Sequence, residues 1–572
     1  VTGFWYHLRN LCWRSSAHRA GKSQSIYAKG YDMSTDDRIH AIFPRLDDIP
    51  AEFRMQPIRQ ENYLVNGELR SWHGASLDVL SPLYVQSPEG LQRFVIGSCP
   101  DLGVKEVGEV VEAATAAYDR GRGEWPTMPV EGRIRQVENF VYQMKSKRSE
   151  IINILMWSIG KTLPDCEKEF DRTVQYVNDT IDALKDVDRV ASKFRIEEGV
   201  IGQIRQAPLG VVLCMGPFNY PLNETFSLFI PALIMGNTII LRAPHQGSLV
   251  LYPLLELFAS AFPKGVVNTL TGKSSVIVPP IMASGKVDVF AFIGSSQVAN
   301  QLKQSHPQLH RLRSILGMDA NNPAIILADA DLDLAVKECV LGSLSFNGQR
   351  CTALKNLFVQ REIADEFVKR FVQEIEKLKF GMPWEAGVTI TPLPERGKPE
   401  QLKALVDDAT DQGAQVVNPF GGAIEQSFFY PAVLYPVKES MKITQAEQFG
   451  PVVPITPFDD IEDLVEVLVN SQSGQQISIF STSSGTVAHL VDQLINQVAR
   501  ININSQCQRG PDTFPFGGRK DSAQGILSVT EALYAFSLPT LVAAKKNDIN
   551  KKIISEIVQE RKSNFLSTDF IL

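Results

Sequence analysis

Gly210-Val-Val-Leu-Cys-Met-Gly-Pro-Phe-Asn-Tyr-Pro221 is a short apolar run that breaks abruptly into a glycine, proline and asparagine loop. Such a run, closed by strong turn formers, reads as a β-strand feeding a loop. The same pattern recurs downstream in Thr238-Ile-Ile-Leu241, Gly265-Val-Val-Asn-Thr-Leu270 and Val287-Asp-Val-Phe-Ala-Phe292, with helical or loop segments between them. Alternating strands and helices predict βαβ units, an α/β fold with a parallel sheet, and a ligand crevice at the strand ends.

Outward from this centre, Val107 to Tyr118, Arg133 to Ser146 and Arg172 to Leu184 carry apolar residues at helical spacing. The stretch from Glu61 to these helices is polar and turn-rich. A second α/β region begins near Pro323-Ala-Ile-Ile-Leu327, continues through a helix over Ile363 to Leu378 and ends near Phe516-Gly-Gly518. Two α/β domains with a cleft between them follow. No internal repeat is evident, and no complete G-x-G-x-x-G fingerprint follows a strand, since Gly121-Arg-Gly123 runs into Trp125-Pro126. A dinucleotide would have to be held in a less standard way. The tail from Asp548 places Ile549, Ile553, Ile557 and Val558 at helical spacing and is given no chemistry.

At 572 residues and 44% hydrophobic content the chain suits two or more buried cores. Its net charge of -7 comes without a basic stripe, so nucleic acid is not an expected partner. Seven scattered cysteines without C-x-x-C spacing argue against a zinc site or a disulfide framework and for a reducing, cytoplasmic setting. Apolar stretches fall well short of the roughly 20 residues that span a bilayer, so no membrane partner is expected. The first 31 residues hold five Arg or Lys and no Asp or Glu. That composition suits an organelle transit peptide or translated sequence upstream of Met33, and the segment is left out of the fold.

Phe346-Asn-Gly-Gln-Arg-Cys351-Thr-Ala presents one cysteine in a polar cluster. A lone cysteine is most often an inert buried hydrophobe; an electropositive, accessible setting makes it a nucleophile, and Arg350 stands beside it. Asn219, at the mouth of the first strand, could donate to a developing oxyanion or simply cap the next helix.

Together these segments resemble the aldehyde dehydrogenase superfamily, in order from about Glu61 to Ala544. The matching blocks are Ala207-Pro-Leu-Gly210, Gly216-Pro-Phe-Asn-Tyr-Pro221, Phe292-Ile-Gly-Ser-Ser296, Gly348-Gln-Arg-Cys-Thr352 and Glu447-Gln-Phe-Gly-Pro451. The resemblance implies a Rossmann-like cofactor domain (61–193 and 208–317), an α/β catalytic domain (318–518) and a small β oligomerisation element (194–207 and 519–545). Residues 1–60 are then an N-terminal extension and 546–572 a tail, with a homodimer or homotetramer expected. It also implies that Cys351 attacks an aldehyde carbon while the Asn219 amide and the Cys351 backbone N–H hold the oxyanion. Glu447 would hold the nicotinamide ribose, and Gly294 and Ser295 would approach the pyrophosphate. No metal is expected.

Where the family often places a glutamate for the adenosine ribose hydroxyls, this chain reads Leu241-Arg242-Ala-Pro-His245. Arg242 and His245 without a carboxylate suit a 2'-phosphate, so NADP is preferred to NAD. More narrowly, Gln508-Arg-Gly-Pro-Asp-Thr-Phe-Pro-Phe516 resembles the non-phosphorylating, NADP-dependent glyceraldehyde-3-phosphate dehydrogenases. The phosphate pocket of that group would fall here on Arg172, Tyr220, Arg350 and Arg509, the bland alternative being surface or ion-paired arginines. One departure stands out. Counting back 34 residues from Cys351, to the family's general-base glutamate, reaches Gly317. Asp319 is the nearest carboxylate that could replace it, the alternative being a residue that caps a turn. Three classes follow: oxidation of glyceraldehyde 3-phosphate to 3-phosphoglycerate, an acylating dehydrogenase passing its thioester to coenzyme A, or a non-catalytic module.

Overall fold

The computed structural model describes residues 34–571, so the leader expectation lies outside the described residues. Six strands form the first sheet, in the order Val267–Leu270, Thr238–Arg242, Val211–Met215, Val289–Ile293, Arg313–Gly317, Ala523–Gln524. The first five run parallel; the last pairs antiparallel, Leu316 opposite Gln524 and Gly317 opposite Ala523. Val211–Met215 and Thr238–Arg242 are buried at every position, because helices such as Asn223–Ile234 and Val104–Tyr118 cover the sheet. From the Val211–Met215 strand the chain builds first to one side and then to the other. Their carboxyl ends therefore splay at a switch point, where a ligand crevice opens.

The second sheet has seven strands: Gln415–Val416, Ala432–Tyr435, Val452–Phe458, Leu354–Gln360, Asn322–Ile326, Gln476–Phe480 and Arg500–Ile503. All but the first run parallel to their neighbours. A third, antiparallel sheet joins Ser537–Lys545, Val200–Pro208 and Arg195–Glu197, in a register running from Ser537 opposite Pro208 to Lys545 opposite Val200. Leu538, Leu541 and Val542 are exposed on it.

The structure corrects three expectations. Residues 34–60 are part of the fold, not an extension: Ile39, Phe43 and Ile49 are buried in the main core, and Ile58–Arg59 pairs with Gly97 and Ser98. The polar, turn-rich stretch from Glu61 forms a long hairpin, Ser76–Ser87 with Gly90–Pro100. Residues 519–536 do not belong wholly with the small peripheral sheet, since Ala523–Gln524 completes the first sheet. The helix expected over Arg172 to Leu184 is longer, Leu163–Ala191, and the tail forms Asp548–Gln559. Beyond that helix the chain turns back, and Arg205 donates to the Ser567 carbonyl at 2.8 Å.

Candidate active site

Cys351 sits where the helix Leu332–Leu344 gives way to the strand Leu354–Gln360. Phe346, Asn347 and Gly348 take successive left-handed conformations, turning the chain sharply. A Cβ at Gly348 would stand 2.6 Å from the Ser343 carbonyl and 2.8 Å from that of Gly450, so only glycine fits. Asn347 clamps the turn, accepting from the Thr391 backbone N–H at 2.9 Å and donating to the Thr391 hydroxyl at 3.1 Å. Asn322 donates to the Cys351 carbonyl at 2.7 Å. The result is a half-buried cysteine on a loop tied down at several points.

Asn219 comes from the loop after Val211–Met215, and its side-chain amide donates to the Gln349 carbonyl at 2.9 Å, tying the two loops together. A third element fixes both. Lys161, completely buried just before the long helix, donates to the Asn219 main-chain carbonyl at 2.8 Å and pairs with Glu169. Its ammonium lies 3.6 Å from the centre of the Tyr220 ring and 4.4 Å from that of Phe346. Glu169 accepts the N–H groups of Leu222 and Asn223 at 3.1 and 3.2 Å. Burial is the largest influence on Lys161 and lowers its pKa, but the charge and hydrogen bond of Glu169 together with Tyr220 and Cys166 outweigh it, and the net shift is upward. Sequence reading missed Lys161 and Glu169. The only signal is two charges eight residues apart around the start of an amphipathic helix, a pattern usually found at surfaces.

Cys351 and Asn219 both line a cleft of about 940 Å³ that runs to the carboxyl ends of the first sheet. Burial pushes the thiol above its ordinary value; the Glu447 charge adds to this, while Gln475, Arg350 and Lys355 pull the other way. Glu447 accepts from the Ala320 N–H at 3.3 Å through one oxygen. Its other oxygen is buried, has no hydrogen-bond partner among the described residues, and lies 3.9 Å from the Lys355 ammonium. Burial raises the Glu447 carboxyl and lowers Lys355, each partly opposed by the other's charge.

At the far end, Arg242 and His245 line the same cleft. Arg242 is buried, donates to Ser274 at 2.5 Å, and has no ion-pair partner among the described residues; its Nε also lacks an acceptor. Burial brings it down to about 10. An unneutralised buried guanidinium is a place for an anion. Burial, then the Arg242 charge, lowers the exposed His245. Between the two ends lie Gly294 and Ser295. Ser295 caps the helix Ser296–Gln304, and a Cβ at Gly294 would meet the Phe292 ring at 2.3 Å. A close backbone approach at a helix N-terminus suits a pyrophosphate, so these residues fit a phosphorylated dinucleotide.

Gly317 ends the fifth strand and also lines the cleft. A Cβ there would meet nothing nearer than Ile293 Cγ1 at 3.4 Å and Leu527 Cδ1 at 3.6 Å, which is ordinary contact. The packing therefore does not demand glycine. Asp319 accepts the backbone N–H of Ser296 at 2.8 Å, so its carboxylate serves as a helix cap.

The four proposed phosphate ligands do not line the cleft. Arg172 grips Asp512 with two hydrogen bonds of 2.8 and 2.7 Å. Arg509 pairs with Glu224 and lies 3.3 Å from Asp512. Arg350 donates to the carbonyls of Gly342 at 2.8 Å and Leu341 at 3.3 Å. Tyr220 is held beneath Lys161. Two of the arginines are thus ion-paired, the blander of the two readings, and a phosphate could bind them only by displacing Asp512 and Glu224.

The sequence pattern described as "Aldehyde dehydrogenase family" matches residues 83–542. The chain is 33% identical to the NADP-dependent glyceraldehyde-3-phosphate dehydrogenase of Streptococcus equinus over 462 residues, 80% of this chain and 94% of that one. It is 30% identical to the enzyme of the same name from Pisum sativum, over 82% of this chain and 92% of the relative. The solved NADP-dependent glyceraldehyde-3-phosphate dehydrogenase from Bacillus halodurans C-125, complexed with NADP, is 28% identical and superimposes with a TM-score of 0.77. That match covers 85% of this chain and all of that one.

Proposed function

The chain belongs to the aldehyde dehydrogenase family, and from that premise we propose that it oxidises glyceraldehyde 3-phosphate to 3-phosphoglycerate with NADP, through a thioester on Cys351. The observation that carries this reading is one continuous cleft lined by Cys351, Asn219 and the unneutralised Arg242. The names of the relatives support the same substrate and cofactor.

In this reading the Cys351 thiolate adds to the aldehyde carbon, forming a C–S bond. The carbonyl oxygen becomes an alkoxide held by the Asn219 amide and the Cys351 backbone N–H. One such donor is worth roughly 2.7–4 kcal/mol of barrier. Bound NADP would supply the hydride acceptor. Arg242 and His245 would grip its 2'-phosphate, Gly294 and Ser295 its pyrophosphate, and Glu447 its nicotinamide ribose. The substrate phosphate would draw Arg172, Arg350 and Arg509 away from their present partners, with Tyr220 as a further donor. The sheet carrying exposed Leu538, Leu541 and Val542 would pair subunits into a dimer or tetramer.

Gly317 favours a second reading for the last step, in which the thioester passes to coenzyme A. Rapid-mixing measurement of NADPH with glyceraldehyde 3-phosphate separates the two. A burst followed by steady turnover without coenzyme A supports hydrolysis; a burst with turnover only when coenzyme A is added supports acyl transfer. No burst with this substrate, but one with unphosphorylated aldehydes, would overturn the phosphate pocket.

A further inference from the structure

Hydrolysis of a thioester on Cys351 needs a base for the attacking water, and the position that supplies one in the family is Gly317 here. Four acidic side chains line the cleft: Glu224, Asp319, Glu395 and Glu447. Glu224 is paired with Arg509. Asp319 is bound to the Ser296 N–H. Glu395 faces Lys398 at 3.0 Å. Glu395 and Glu447 each keep a buried oxygen without a hydrogen-bond donor, but that of Glu395 is the one Lys398 meets, whereas that of Glu447 has its nearest cation, Lys355, at 3.9 Å, the looser pairing of the two. A donor-free carboxylate oxygen on a residue that lines the same cleft as Cys351 can accept a proton from a water entering that cleft.

On the proposed function above, from the shared cleft and this unpartnered oxygen, we infer that Glu447 is the general base that hydrolyses the acyl-enzyme. Water loses a proton to the free Glu447 oxygen as its own oxygen bonds the acyl carbon. The tetrahedral intermediate then breaks the C–S bond and releases the acid. The proton returns from Glu447 to the departing Cys351 sulfur. Nothing is oxidised or reduced in this step. The chemistry is supported by the carboxyl's setting: burial lifts it to about 7, Asp319 adds to the rise, and Lys355 and Lys398 oppose it. A base of that strength is well matched to neutral pH.

The test uses 4-nitrophenyl acetate without cofactor, so that nicotinamide binding plays no part. Release of 4-nitrophenolate reports acylation as a burst and deacylation as the steady rate, and intact mass shows the acetyl-enzyme. Glu447→Gln should keep the burst, accumulate acetyl-enzyme and lose roughly 10²- to 10⁴-fold in steady rate. The steady rate of the natural chain should rise with pH through about 7, a limb that the variant lacks. Adding Gly317→Glu to Glu447→Gln should restore turnover, which shows that the variant is folded. A Glu447→Gln steady rate equal to the parent's would overturn the inference. So would loss of the burst along with the steady rate, which would assign Glu447 to the thiol instead. A parent that forms no acetyl-enzyme by intact mass and releases no 4-nitrophenolate at any pH up to about 9, where the thiolate is more plentiful, would overturn the proposed function and this inference with it.

Discussion

The ammonium of Lys161 donates to the main-chain carbonyl of Asn219 at 2.8 Å from a position with no solvent exposure. One cation thereby fixes the backbone of the oxyanion donor while its partner Glu169 holds the next two residues of the same loop. Removing only one member leaves a buried charge, at a cost of about 3–5 kcal/mol. Lys161→Met should therefore lower the thermal midpoint and slow the acylation burst together. Lys161→Met with Glu169→Leu should recover much of the midpoint but not the burst, because the loop is still untethered. Calorimetry and rapid mixing on the same samples check both.

Gly317→Glu should gain function. The Cβ enters ordinary contact distances, so folding should be unaffected, and the new carboxylate enters the cleft. If deacylation limits the parent, its turnover should rise by about 10²-fold or more. An unchanged steady rate with an unchanged midpoint would mean that deacylation was never limiting.

Arg242 tests the cofactor end. Charged hydrogen bonds contribute about 1.5–3 kcal/mol, so Arg242→Ala should weaken NADP by roughly 10- to 100-fold and leave NAD nearly untouched. Fluorescence titration with both dinucleotides measures this directly. Equal losses for the two would place the arginine away from the 2'-phosphate.

Burial holds the Cys351 thiol above its ordinary value, so the reactive thiolate is scarce at neutral pH and grows as pH rises. Alkylation by iodoacetamide should still be accelerating at pH 9. Because the Glu447 charge adds to the rise, Glu447→Gln should shift the alkylation midpoint downward. A plateau near pH 7 in the parent would contradict the buried setting of the sulfur.

If one carboxylate both holds the nicotinamide ribose and activates water, it cannot do the two at once. NADPH added to pre-formed acetyl-enzyme should then slow its decay, followed by intact mass. Decay unaffected by saturating NADPH would separate the two duties.

Four strands of the first sheet and Asn322–Ile326 of the second were legible because burial on both faces leaves uniform apolar runs, as in Val211–Met215, ended by residues that forbid extension. The hairpin Ser76–Ser87 was not, since its burial alternates irregularly across two register shifts. Ile39, Phe43 and Ile49 were hidden by their setting: isolated apolar residues among charges carry no period. At the site, Cys351 and Asn219 were readable because each ends a recognisable element. The pairing of Arg172 with Asp512 joins residues 340 apart, and neither has a local reason to find the other. The same holds for Glu447 and Lys355. Their environment is set by which loops the fold brings together, and no local pattern records it.

The two-residue strand Ala523–Gln524, paired to Leu316 and Gly317, has a consequence for how the chain is made. Synthesis proceeds from the amino end, so the first sheet lacks its outermost strand until the chain has grown from Gly317 to Ala523. At about 5–20 residues per second the edge at Arg313–Gly317 then stands open for tens of seconds in the nascent chain. An open edge is a template for pairing with other polypeptides. The growing chain must be shielded there, or must keep that half unfolded, until Ala523–Gln524 emerges.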